Sequence, residues 1–99
     1  MKVYISGAIT GTIDYMERFA KAEESIKYQG AEPINPARVN SALPRSTTYR
    51  QYMDMSLVML SMCDAVYMLK GWEQSKGARE EFAEAVKSGK EIYFEEVQE

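Results

Sequence analysis

The sequence predicts an α/β fold: a small Rossmann-like or flavodoxin-like three-layer sandwich, in which a four-stranded parallel sheet is flanked by three main helices. Three observations lead there. Four β-rich runs alternate with three segments whose apolar residues recur at helical spacing. Gly, Pro and Asn punctuate the junctions between them. The 99 residues suffice for one core and are too few for two domains of ordinary size, so a single domain over 1–99 is expected.

The first run, Val3-Tyr4-Ile5-Ser6, is strand-like and ends at Gly7, and the following Ala8-Ile9-Thr10-Gly11-Thr12 reads as a strand-to-helix loop. From 14 to 29, Tyr15, Phe19, Ala22 and Ile26 keep helical spacing, with Asp14 or Thr12 as the starting cap and Gly30 at the end. Residues 32–35 form a short strand stopped by Pro36. Residues 37–47, which include Asn40, Ser41, Pro44 and Ser46, show no clear period and read as a loop. A loop of that length in so small a domain suggests binding or covering.

A second helix spans about 48–62. Met53, Leu57 and Leu60 form one stripe, while Tyr52, Met55, Val58, Met59 and Met62 carry apolar surface further round than one core face uses. A partner subunit is therefore expected over the remainder, making a homo-oligomer through residues 52–62. Residues 64–69 read as a buried central strand opened by a structural Asp64, and 70–74 as a loop. Ser75 opens a third helix with Ala78, Phe82, Ala85 and Val86 inward and Gly89 at its end, and 91–94 is the last strand. Parallel sheets of this kind place ligands beyond the carboxyl ends of the strands, where strand order reverses. The segments 7–12, 36–47 and 70–77 meet there.

Charge and composition narrow the chemistry. A formal charge of -3 offers no basic stripe for a long nucleic acid but leaves a small anion open. The one cysteine, Cys63, allows neither an intrachain disulfide nor a thiolate metal cluster within the chain. The chain start lacks the features of a signal peptide, and no apolar run approaches membrane-spanning length, so a reducing cytoplasmic setting is expected. With no histidine, the commonest general base and metal ligand is missing, and chemistry must rest on carboxylates, hydroxyls or tyrosine.

Several residues suit that chemistry. Ser6-Gly7-Ala8-Ile9-Thr10-Gly11 lets backbone N–H groups approach an anion, although it is neither a dinucleotide fingerprint nor a P-loop and also serves as an ordinary tight turn. Ser75, at a helix start, offers a cap hydroxyl and exposed backbone donors. At roughly 100° per residue, Glu81 lies beside the Ala78/Ala85 stripe while Glu80 points away. A carboxylate at that boundary is either a nucleophile or stabiliser of a cationic sugar transition state, or a solvated partner of Lys or Arg. Trp72 can stack on a base or shield its own loop, and Asn35 can bond a sugar or cap the turn before Pro36.

Val3 to Gly11, Asn35-Pro36, Cys63-Asp64-Ala65-Val66, Ser75-x-Gly77-x-x-x-Glu81 and the helix ending in Gly89-Lys90 together resemble the nucleoside 2-deoxyribosyltransferase superfamily over nearly the whole chain. The resemblance includes the branch that hydrolyses 2'-deoxynucleoside 5'-monophosphates. It implies Glu81 as the nucleophile at the anomeric carbon and Tyr4, in the first strand, as its close neighbour. Ser75, where enzymes taking free nucleosides carry aspartate, tilts the implied substrate towards a 5'-phosphate. The pattern departs where the family usually has an aspartate that helps protonate the leaving base, since Ser56 stands there. Asp54 is the nearby carboxylate, about 200° away round the helix.

The resemblance thus implies an N-glycosidase or 2-deoxyribosyltransferase that needs no metal or cofactor. Glu81, Tyr4 and Asp54 are its candidate catalytic residues. Ser6, Gly7, Ala8, Ile9, Gly11, Asn35, Trp72, Ser75 and Gly77 are the candidates for holding a nucleoside or nucleotide. The competing expectation is a nucleotide-binding module of the same fold without turnover, which the missing aspartate favours. A third is an interaction protein built on the methionine-rich helix.

Overall fold

Strand β1 (Lys2–Ser6) is rich in the branched and aromatic residues that suit a pleated surface, and it pairs on both sides. Its neighbours are β2 (Glu32–Ile34) and β3 (Ala65–Met68), and β4 (Glu91–Phe94) completes an all-parallel sheet of order β2-β1-β3-β4. The computed structural model describes residues 1–9 and 13–96. Expectations at Thr10, Gly11 and Thr12 therefore lie outside the described residues.

Alternation along β1 decides which side chains meet. Val3 and Ile5 join Phe19, Ala22 and Ile26 of α1 (Tyr15–Tyr28) on one face of the sheet. Tyr4 joins Val66, Met68 and residues of α3 (Tyr49–Ser61) and α4 (Lys76–Lys87) on the other. The result is the expected three-layer arrangement. In register, Tyr4 stands opposite Ile34 and Val66, and Ser6 opposite Met68, so Tyr4 and Ser6 project from the middle of the sheet towards the α3/α4 layer.

The helix stops follow the glycines. After α1 and α4, Gly30 and Gly89 take φ of +87° and +71°. The N–H groups of Ala31 and Lys90 return to Ile26 O and Ala85 O, which satisfies carbonyls that the helix ends leave open. Asp14 precedes α1 but its side chain makes no capping bond. Asp64 does have the structural part expected of it: Oδ2 accepts from Lys2 N at 2.9 Å. Cys63 is buried, and burial pushes its thiol up to about 11, leaving it protonated and inert.

Three expectations need correction. The segment read as a loop over 37–47 begins as a short helix, α2 (Pro36–Asn40), because Asn35 caps it and proline at its first position suits a helix start. Between β3 and α4 the chain makes a single 3-10 turn (Trp72–Gln74). Val86, expected inward, is exposed.

β1 and β3 close tightly at their carboxyl ends. A Cβ on Gly7 would stand 2.9 Å from both Cβ and Cδ1 of Leu69, whose own N–H donates to Ser6 O at 2.8 Å. Gly7→Ala is therefore expected to overpack this junction and cost about 1–3 kcal/mol, read as a lower denaturant midpoint at unchanged slope.

Candidate active site

A cavity of about 550 Å³ opens at the carboxyl ends of the strands, bounded by β1 and the start of its loop, α1, α2, α3 and the first turn of α4. That volume suits a small organic ligand. A larger groove, of about 940 Å³, lies on the opposite face between α1 and the β4 side. None of the buried polar residues Ser6, Asn35, Ser56 and Glu81 lines that groove. Convergent buried polar groups mark the smaller cavity as the candidate site.

Glu81 is the centre of it. Ala78 and Ala85, both buried, put only small side chains between α4 and the sheet, and the helix approaches closely enough for Glu81 to reach β1. Tyr4 donates its hydroxyl to Glu81 Oε2 at 2.6 Å, and Ser6 donates to Oε1, also at 2.6 Å. Each carboxylate oxygen is thus held by one short, charge-assisted bond. Glu81 is 6% exposed, Ser56 5%, and Tyr4 and Ser6 0%.

Burial disfavours the carboxylate and raises the Glu81 pKa above its usual value, while the hydroxyls of Ser6, Tyr4 and Ser56 pull against that shift. Burial, then the Glu81 charge, pushes the Tyr4 phenol well above its usual range. The carboxylate is therefore fixed in direction, poorly solvated and less stable as an anion than one in water, which favours attack on an electrophilic carbon.

The first turn of α4 forms one rim. Ser75 Oγ accepts from Ala78 N at 3.2 Å, and helix geometry leaves the N–H groups of Lys76 and Gly77 without intrahelical partners. The turn carries no acidic residue, and the ammonium of Lys76 sits 5.3 Å from the centroid of the Tyr49 ring. A Cβ on Gly77 would lie 3.2 Å from Met53 Sδ, so α3 and α4 are in close contact at this rim.

Residues 1–94 match the family model described as "Domain of unknown function (DUF4406)". The chain belongs to that family. No curated protein matches it in sequence. Among solved structures, this DUF4406 chain is similar to a 2-deoxyribosyltransferase from the psychrotolerant bacterium Bacillus psychrosaccharolyticus, with a TM-score of 0.75 at 13% identity. The match covers 99% of this chain and 77% of that one. At such identity the likeness establishes a shared α/β fold with a parallel sheet.

Tyr4, Gly7, Ala8, Ile9, Ser75, Gly77 and Glu81 line the cavity, and Ser6 sits behind it, bonded to Glu81. Gly11 lies outside the described residues. Three other expected site residues do not join them. Asp54 faces away from the cavity with its side chain 65% exposed, paired with Arg50 at 2.9 Å one helical turn back. Asn35 spends its carbonyl oxygen on Ala37 N and Arg38 N and donates its amide to Glu23 at 3.1 Å. Trp72 stacks on Phe82 with centroids 4.6 Å apart and does not line the cavity.

The structure adds Tyr15, Asn40, Tyr49, Tyr52 and Met53 to the wall, and Ser56. In the resemblance Ser56 stands out only as a departure from a family pattern. The signal for it was its place between Met53 and Leu60, a polar residue on the buried stripe of α3. Asp54→Ala is accordingly expected to leave any activity within about twofold and to cost only the ~0.3–0.5 kcal/mol of an exposed helical ion pair, measurable by steady-state kinetics and denaturant unfolding.

Among the described residues no group of three His, Cys, Asp or Glu is arranged to hold a metal ion, and no helix is long and apolar enough to cross a membrane.

Proposed function

We propose that the chain cleaves or transfers the N-glycosidic bond of a 2'-deoxynucleoside or, by preference, its 5'-monophosphate, with Glu81 as nucleophile. The observation that carries this reading is the buried Glu81 carboxylate held by Tyr4 and Ser6 on the wall of a nucleotide-sized cavity. The 2-deoxyribosyltransferase of the same fold supports it. A carboxylate oxygen of Glu81 attacks C1', the C1'–N bond breaks, and its electron pair leaves with the base. Water or a second base then displaces Glu81 from the glycosyl ester, as in retaining glycosidases.

Tyr4 and Ser6 keep the carboxylate aimed. Ser75, the free N–H groups of the α4 first turn and the ammonium of Lys76 make an anion-binding rim for the 5'-phosphate. Cations in a helix first turn oppose the helix dipole, and a bound phosphate would offset that. A second reading, a nucleotide-binding module without turnover, is favoured by Ser56 in place of a carboxylate beside Tyr4 and Glu81.

The deciding experiment is chromatographic detection of free base from a panel of 2'-deoxynucleosides and their 5'-monophosphates. Base release supports the enzyme. No release from any substrate, with nucleotide-induced thermal stabilisation, selects the binding module. The proposal includes self-association in a cytoplasmic setting through the exposed Val58 of α3 and Met62 at its C-terminal cap. Light scattering is then expected to give a mass at least twice the 11.3 kDa of one chain.

A further inference from the structure

Glu81 is the only carboxylate on the cavity wall among the described residues, and the sequence has no histidine. Glycosidases that work through a carboxylate nucleophile ordinarily use a second carboxyl group, about 5–5.5 Å away, to protonate the leaving group. Here the nearest position of the right kind holds Ser56, whose hydroxyl is beside both Tyr4 and Glu81 and whose proton is not acidic in water. Asp54 is turned out and paired with Arg50. Tyr4 has its proton committed to Glu81, and burial holds it there. The remaining proton carriers on the wall are phenols and one ammonium. The ordinary pKa of both classes, near 10, lies far from the neutral range in which acid catalysis is most effective.

The same wall is aromatic. Tyr15, Phe19, Tyr49 and Tyr52 surround the cavity together with the Met53 thioether. Ring faces of this kind attract cations, and Lys76 over Tyr49 is an instance within the site.

Resting on the N-glycosidic reading above, we infer that the substrate is a 2'-deoxynucleotide whose base leaves without taking up a proton, above all a purine made cationic by alkylation of a ring nitrogen. The balance of the step needs no acid. When Glu81 forms its bond to C1', the C1'–N9 electron pair passes into the ring and cancels the positive charge, and the base departs neutral. Water then attacks C1', the C1'–Oε bond breaks with its pair returning to Glu81, and the surplus proton of water goes to solvent. With no acid in reach on the wall, an unalkylated base at the same site would leave as an anion unless solvent had first protonated a ring nitrogen. The aromatic wall binds the cationic base in the ground state, and Glu81 supplies the nucleophile.

The test compares kcat/KM for N7-methyl-2'-deoxyguanosine 5'-monophosphate and 2'-deoxyguanosine 5'-monophosphate with the spontaneous cleavage rates of both at the same pH. An enzyme without a general acid is expected to reproduce the spontaneous ratio within about tenfold, with cleavage of the methylated substrate lost in Glu81→Gln. A ratio compressed by the ~10²–10⁴-fold that acid catalysis supplies would overturn the inference and leave the N-glycosidic reading standing. No acceleration of either substrate, with nucleotide-induced thermal stabilisation retained, would overturn both.

Discussion

Glu81→Gln is expected to lower base release by about 10⁴-fold or more while leaving nucleotide affinity within a few-fold of the native value. The substitution keeps the shape of the side chain. Its amide can still accept from one of the two hydroxyls that now donate to the carboxylate, and it can donate to the other, since a hydroxyl also accepts. What it loses is the anionic oxygen that, in the proposed mechanism, bonds C1'. A variant retaining more than about a tenth of native kcat would remove Glu81 from the nucleophile's place. In the native protein kcat/KM is expected to rise with pH through the Glu81 ionisation, above the usual carboxylate range because burial raises it.

The same substitution should move stability in the other direction, and the sign follows from proton counting. The folded carboxyl has a raised pKa, so between the unfolded value and the folded one the native state holds more protons than the unfolded state. Native stability is therefore full below the ordinary carboxylate pKa and falls as pH rises through the raised value. The substituted amide carries no such ionisation. Near neutral pH the variant is expected to unfold at a Tm several degrees higher, about 4–8 °C for each kcal/mol in a domain of this size, with the gap closing on acidification. A gap that widens towards low pH would mean that the buried carboxyl is favoured as an anion. Activity and stability opposed at one position is the pattern of a group kept for chemistry at the expense of the fold.

How far the sequence reaches into this structure depends on the range of the interactions involved. Helical period and glycine stops are local, and they placed α1, α3 and α4, the capping residue Ser75 and the inward turn of Glu81 beside Ala78 and Ala85. The helix α2 escaped because five residues are too few to show a period. Its signal was instead the Asn35-Pro36 pair, a cap followed by a favourable first residue. Once Asn35 is used in that cap and in its bond to Glu23, its carbonyl oxygen is fully engaged and a single amide N–H is left over.

Asp54 departs from expectation for a different reason. Its carboxylate suits the chemistry, but the Met53, Leu57 and Leu60 stripe points position 56, not 54, at the core. Period was the better guide than residue type. Trp72 shows where sequence runs out: its partners, Phe82 on α4 and Phe94 at the end of β4, meet it only when the sheet is assembled. The hydrogen bonds of Tyr4 and Ser6 to Glu81 span 77 and 75 residues and depend on that same assembly. Their alternation along β1 was legible, but not that it would aim two hydroxyls at one carboxylate.

Tyr4→Phe tests that convergence directly. The phenol ring fills the α3/α4 side of the core and is wholly buried, so phenylalanine preserves the packing and removes one donor. Glu81 Oε2 then loses its partner while Oε1 keeps Ser6. A hydrogen bond to a buried charged group is worth about 1.5–3 kcal/mol, so kcat/KM near neutral pH is expected to fall by about 10- to 100-fold. The cause would be a carboxylate harder to ionise and freer to turn, and it has a signature: the inflection of kcat/KM against pH moves up, and raising the pH recovers part of the loss. A uniform loss at every pH would instead assign Tyr4 to aiming alone, and an unchanged rate would separate it from the reacting carboxylate.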